Sequence, residues 1–204
     1  VLLDENISPR KLENFPVIYL PNTAVLSAQE IKMLKEYVAN GGLLLATGLT
    51  GLYTRPGQPA SLSNIEDLVG GKFISSLPDL DNHISLPALN DDLSPISAEI
   101  PSDWPFLVYG PASVFELTTA QGYGHLYRPH RTLKQRIGEG NFSLPMSSDE
   151  VIGPAMLINN YGKGKVVYLP CSPDAALASE YRTVEPRLLL RNLIRYLQPN
   201  PEID

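Results

Sequence analysis

At 204 residues the chain is long enough to bury a sizeable core, and one elaborated domain is expected rather than two. Its 16 basic and 22 acidic side chains leave a net charge of -6, and no basic run exceeds Pro9-Arg10-Lys11, which argues against nucleic acid or an anionic membrane as a partner. A single cysteine, Cys171, excludes an internal disulfide and a cysteine-based zinc site.

No apolar stretch approaches the ~20 residues of a membrane span, and the first residues lack a basic-then-apolar signal pattern, so a soluble protein is expected. The compartment stays open, with a slight lean to the cytoplasm. In chain order, Val1-Leu2-Leu3-Asp4-Glu5-Asn6-Ile7 reads as the end of an amphipathic helix running into a turn at Ile7-Ser8-Pro9. A doubly wound sheet begins with a strand before its first helix. A first strand upstream of Val1, or another element in its place, is therefore expected.

From Pro16 to Thr47 the pattern is tight. Val17-Ile18-Tyr19-Leu20 is a buried-type strand, Ser27 with Glu30 forms a capping box, and Ile31, Leu34 and Val38 make one apolar helical stripe. Asn40-Gly41-Gly42 stops the helix, and Leu43-Leu44-Leu45-Ala46-Thr47 is a second apolar strand. A helix between two strands predicts parallel pairing, so both carboxyl ends lie on one edge of an α/β sheet covered on both faces.

Thr50 to Pro59 reads as a loop, and Leu62 to Val69 as a short helix stopped by Gly70-Gly71. Residues 75–104 form a poorly patterned insertion, rich in Pro, Asp, Asn and Ser, with irregular surface structure and short strands expected. Phe106 to Tyr109, Ser113 to Thr118 and Gly124 to Tyr127 have strand character, while Arg128 to Asp149 has no clear pattern. Ala155-Met156-Leu157-Ile158-Asn159 and Lys165-Val166-Val167-Tyr168-Leu169 form a hairpin through a turn in which Gly162 and Gly164 can take positive φ. A final helix starts near Pro186, presents Leu189, Leu190, Leu193, Ile194 and Leu197 to the sheet, and stops at Pro199. Arg187, Arg191 and Arg195 repeat along it as a solvated face or a site for an acidic partner.

Catalytic constellations are weak. Cys171 follows a strand as a nucleophile would, but Pro170, Ser172 and Pro173 flank it where an elbow needs small residues, and proline supplies no N–H to an oxyanion hole. His83, His125 and His130 form no helical i, i+4 pair, and the acidic pairs Asp91-Asp92 and Asp149-Glu150 read as solvated loop charge. Thr47-Gly48-Leu49-Thr50-Gly51 is a small turn at a strand's carboxyl end, where open α/β sheets bind ligands, yet it has neither a Gly-x-Gly-x-x-Gly fingerprint nor a P-loop lysine. Thr23, Thr47, Thr50 and Ser172 would edge that crevice. The residues thus assign no catalytic group, no cofactor and no metal ligand.

Several segments together carry a resemblance. Val17 to Ala24, Leu26-Ser27, Tyr37 to Gly48, Ile65 to Gly70, Tyr161 to Leu169 and Leu188 to Ile194, in that order, resemble the middle, trimerisation domain of family 42 β-galactosidases. That domain is similar in fold to class I glutamine amidotransferases. The resemblance implies a three-layer flavodoxin-like α/β domain with a mostly parallel sheet, an antiparallel hairpin edge and a first strand lying outside the chain. It also implies a non-catalytic assembly module, packed against a catalytic barrel of the same polypeptide and, as a trimer in the family, against copies of itself. The family's glycosidic carboxylates belong to the barrel, and nothing here matches the amidotransferase cysteine motif. Two other readings stay open: a stand-alone amidotransferase-like hydrolase, and a small-ligand or sugar-binding module using the crevice near Thr23, Thr47 and Thr50.

Overall fold

The computed structural model describes residues 8–55, 58–59, 65–138, 145–178, 181 and 183–199. Helix α1 (Pro9–Leu12) stands where a turn was expected at Ile7-Ser8-Pro9. Its Leu12 is buried in the same apolar cluster as Ile31 and Leu34, which outweighs its short length. Residues 1–7, to which the end of a helix was assigned, lie outside the described residues.

The β-α-β unit forms as expected from strand β1 (Val17–Leu20), helix α2 (Ala28–Ala39) and strand β2 (Leu43–Thr47). Ser27 Oγ accepts from Glu30 N at 3.2 Å while Glu30 Oε2 accepts from Ser27 N at 2.6 Å, closing the capping box. β1 and β2 run parallel, with Val17 opposite Leu43 and Leu20 opposite Ala46.

The expected Thr50–Pro59 loop instead holds a small antiparallel pair, β3 (Tyr53–Arg55) and β4 (Gln58–Pro59). Helix α3 (Glu66–Val69) ends at Gly70, whose φ of 72° is the left-handed C-cap that favours glycine; the expected helix positions 62–64 lie outside the described residues. The insertion is more ordered than its composition indicates. It contains the last three residues of β5 (Gly71–Leu77), all of β6 (His83–Ser85), a 3-10 turn at Asp91–Leu93 and helix α4 (Ser94–Ser97).

Strand β7 (Phe106–Leu107) is shorter than expected, β8 (Ala112–Leu117) pairs antiparallel with β5, and β9 (Gln121–Tyr123) was not anticipated. The unpatterned segment supplies the end of β10 (His125–Pro129), helix α5 (Leu133–Gly138) and the start of β11 (Ser147–Gly153). The hairpin β12 (Met156–Tyr161) and β13 (Gly164–Leu169) follows, then α6 (Pro173–Leu177) and α7 (Glu185–Leu197). In its turn only Gly162 takes positive φ, at 61°. Gly164 is required for a different reason, because a Cβ there would run into the carbonyl oxygens of Val38 and Gly42.

The central sheet has the order β1-β2-β13-β12-β9. β13 lies parallel to β2, with Lys165 opposite Leu43, and β12 and β9 continue the sheet antiparallel. Its pleat separates two cores. Leu44, Ala46, Leu157, Val166 and Tyr168 face one cluster with Leu12, Ile31, Leu34, Val38, Leu68 and Val69 from α1, α2 and α3. Leu45, Met156, Val167 and Leu169 face the other, shared with Leu189, Leu193 and Leu197 of α7. A second, antiparallel sheet of order β11-β10-β6-β7 contributes Ile84, Phe106 and Leu126 to that far core. The protein is therefore α/β with mixed sheets. Ile194, expected on the buried stripe of α7, is 38% exposed.

Candidate functional site

Chain topology gathers several of the singled-out residues at the edge formed by the carboxyl ends of β1, β2 and β13. Thr23, Thr47, Thr50 and Ser172 all meet there, and Thr47, Thr50 and Ser172 are fully buried.

Their polar groups are engaged with one another. Thr47 Oγ1 donates to Asp174 Oδ1 at 2.7 Å and accepts from Asn22 N at 2.9 Å. Thr50 Oγ1 donates to Thr47 O at 2.6 Å and accepts from Thr23 N at 3.0 Å. Asn22 adopts a positive φ of 42°, a left-handed conformation that asparagine tolerates better than most residues, and its Oδ1 accepts from Leu49 N at 2.9 Å. Gly48 has a φ of 65°, and a Cβ there would strike Ser172 and Asn22. Its N–H donates to Leu169 O and Cys171 O at 2.9 and 2.8 Å, while its carbonyl accepts from Tyr168 Oη at 2.7 Å and Ser113 Oγ at 3.0 Å. Ser172 Oγ donates to Pro111 O at 3.1 Å. In a typical anion-binding turn, backbone N–H groups point at the ligand. Here the Gly48 and Leu49 N–H groups are turned inward onto protein acceptors.

Cys171 is fully buried, and burial, reinforced by the charge of Asp174, pushes its thiol well above the usual range. Such a sulfur stays protonated at neutral pH, whereas nucleophilic chemistry requires the thiolate. The Tyr19 hydroxyl is buried near Thr47 and Asp174 without a well-formed hydrogen bond, and burial followed by the Asp174 charge raises its pKa far above the normal tyrosine value. Tyr19, Asn22 and Asp174 were not anticipated as members of this cluster. Asn22 had a signal in its place directly after a strand, where Asx side chains bond neighbouring backbone; Tyr19 and Asp174 had none.

The remaining candidates are dispersed. His83 is buried with Nδ1 at 3.0 Å from Asp81 O, and burial lowers its pKa despite that bond and the nearby Asp81 charge. His125 is exposed beside the Tyr127 ring. Among the described residues no group of three His, Cys, Asp or Glu side chains is placed to hold a metal ion. Asp92 and Asp149 are exposed, and Glu150 pairs with Arg128 at 2.7 Å. Of the arginine series, Arg191 bonds Glu99 at 2.8 Å and Arg187 and Arg195 are exposed. Among the described residues no helix is long and apolar enough to cross a membrane.

The geometry defines an α/β domain whose ligand-prone edge is filled by its own side chains. No family model and no curated protein sequence matches the chain, but solved structures do. α-L-Fucosidase isoenzyme 2 from Paenibacillus thiaminolyticus superposes with a TM-score of 0.64 at 19% identity, over 91% of this chain and 26% of that one. Gan42B, a GH42 β-galactosidase from G. stearothermophilus, solved as a catalytic mutant, gives 0.56 at 19% identity over 94% of this chain and 23% of that one. A putative ThuA-like protein from Bacteroides uniformis gives 0.56 at 16% identity, over 95% of this chain and 74% of that one. The resemblance to family 42 β-galactosidases seen in the sequence is thus matched by a shared fold, and the chain spans about a quarter of the length of the glycoside hydrolases it matches.

Proposed function

We propose that this chain is a non-catalytic accessory domain of a glycoside-hydrolase-like protein, with a flavodoxin-like layout, serving domain packing or oligomerisation beside a catalytic barrel of the same polypeptide. The observation that carries the reading is the closed crevice. At the edge where an α/β enzyme would place its reacting groups, Thr47, Thr50 and Ser172 spend their hydroxyls on internal partners and Cys171 is a buried, protonated thiol. The glycoside hydrolases sharing the fold embed it in chains about four times as long, which supports the same reading.

The test uses the full-length polypeptide and a chromogenic glycoside that it hydrolyses. Cys171→Ala and Asp174→Asn are expected to leave kcat/KM within about threefold, because a group that touches no reacting atom contributes little to the barrier. Loss of turnover in either variant, with an unchanged thermal melt, would sink the reading.

One observation favours a second reading, a stand-alone amidotransferase-like hydrolase or small-ligand module. The ThuA-like protein is matched over 74% of its own length, so this fold also occurs without a large catalytic neighbour. Saturable binding of a simple sugar, lost in Thr47→Val, would favour that reading over the first.

A further inference from the structure

The second sheet has two faces of different chemistry. Ile84, Leu126 and Phe106 belong to the α7 core, and residues opposite one another in an antiparallel pair share a face. His83 with Tyr127, and Ser85 with His125, therefore lie together on the other face. The row through His83 runs Val151, Tyr127, His83, Leu107 across all four strands of that sheet. A sheet face turned away from the core commonly carries solvated charge. This row and the neighbouring Ser85 and His125 include no Asp, Glu, Lys or Arg, and His83 and Ser85 are only 6% and 7% exposed.

Polar groups at that depth are ordinarily paired, and here the pairing is incomplete. His83 Nδ1 lies 3.0 Å from Asp81 O, a carbonyl that can only accept, so the neutral ring carries its proton on Nδ1 and keeps a lone pair on Nε2. Among the described residues no hydrogen bond reaches that Nε2. Ser85 Oγ and Tyr127 Oη are 3.1 Å apart, a bond that uses one of their two protons and leaves the other to donate. The exposed His125 ring packs edge-on against the Tyr127 ring at 6.2 Å. At the Thr47 crevice, by contrast, the threonine hydroxyls and the turn amides are engaged internally.

We infer that this outer face binds a small neutral ligand rich in hydroxyl groups, of the sugar or polyol class. One ligand hydroxyl donates to His83 Nε2 and a second accepts from the Ser85–Tyr127 pair. Val151 and Leu107, opposite Tyr127 and His83, supply the apolar flanks that small-molecule sites combine with a few convergent polar groups. With no lysine or arginine on the face, a phosphate or carboxylate finds no charged donor there. A ligand at this face is compatible with an accessory domain and equally with an enzyme, because the Thr47 crevice takes no part in it.

The test follows the His83 ring in the full-length polypeptide, isotope-labelled at histidine Cε1, its signal being the one absent from His83→Gln. D-galactose and L-fucose are the probes, with inorganic phosphate as the charged control. A saturable shift of that signal with at least one sugar is expected, with the midpoint raised about fivefold in the double variant Ser85→Ala, Tyr127→Phe, which removes both hydroxyls. No movement with either sugar up to about 100 mM means that the face is closed to ligands, and overturns the inference. A shift whose midpoint is unchanged in the double variant has travelled from a sugar bound elsewhere on the polypeptide and overturns it too, as does saturation by phosphate in place of sugar. Should the double variant fail to fold, His125→Ala decides instead: its ring is exposed, its loss strips one side of Tyr127, and the midpoint should rise at least about twofold. An unchanged midpoint in that variant counts against the site in the same way.

Discussion

On the α2 face of the central sheet, helices begin and end on signals a few residues away, such as the Ser27–Glu30 capping box and the left-handed Gly70. On the α7 face, short elements are tied down by side chains from distant parts of the chain. Asn192 Nδ2 donates to Ile96 O at 3.1 Å and Ala98 O at 2.7 Å, holding the end of α4, while its Oδ1 accepts from Arg191. Asn82 Nδ2 bridges Asp79 O and Gly110 O at 2.6 and 2.7 Å. The α2 face has such bonds too, as where Asn159 Nδ2 donates to Leu68 O at 3.0 Å at the end of α3. A segment without its own propensity can still be ordered if a buried amide supplies the partners its backbone lacks.

The largest expected effect breaks that contrast directly. Asn192→Ala leaves the Ile96 and Ala98 carbonyls without their donor and is expected to cost about 1–3 kcal/mol in urea unfolding. Its amide-shift changes should concentrate in 94–100. If Asn192→Ala is neutral while Asn159→Ala is costly, the two faces are not held as described. Next comes Ser27→Ala, expected to cost about 1 kcal/mol because it removes an N-cap acceptor. Its loss should be spread over the whole unfolding transition rather than over one loop.

The smallest effect is electrostatic and belongs to the α7 face. Burial lowers the His83 pKa below its ordinary 6.5, so the unfolded chain binds the extra proton more readily than the folded one. Stability should therefore rise with pH from the lowered folded value up to about 6.5 and level off above it. The Asp81 carbonyl and charge oppose the shift without reversing it. His83→Gln should flatten that part of the curve, and an unchanged slope in urea titrations at several pH values would remove His83 as its source.

Legibility in the sequence follows the same division. The Pro16–Thr47 unit, the β12–β13 hairpin and α7 were readable because apolar periodicity, caps and glycine stops sit inside each segment. β5, β6 and α4 were not, since β5 carries exposed Ser75 in a two-stranded ladder and α4 depends on an asparagine far along the chain. The crevice was half readable. Thr23, Thr47, Thr50 and Ser172 were placed correctly at one edge by the parallel-strand argument, but their mutual hydrogen bonds, and the part of Asp174 in them, depend on loop conformations that no local pattern encodes.

The position of β13 bears on how the chain is made. It fills the slot between β2 and β12, so β2 has only β1 beside it until residues beyond Gly164 are available. During vector synthesis from the N-terminus, the sheet cannot close until most of this segment has left the ribosome. For that interval Leu44 and Leu45 lie on a strand with one unpaired side, an aggregation hazard that ends when Gly164 seats against the carbonyls closing α2.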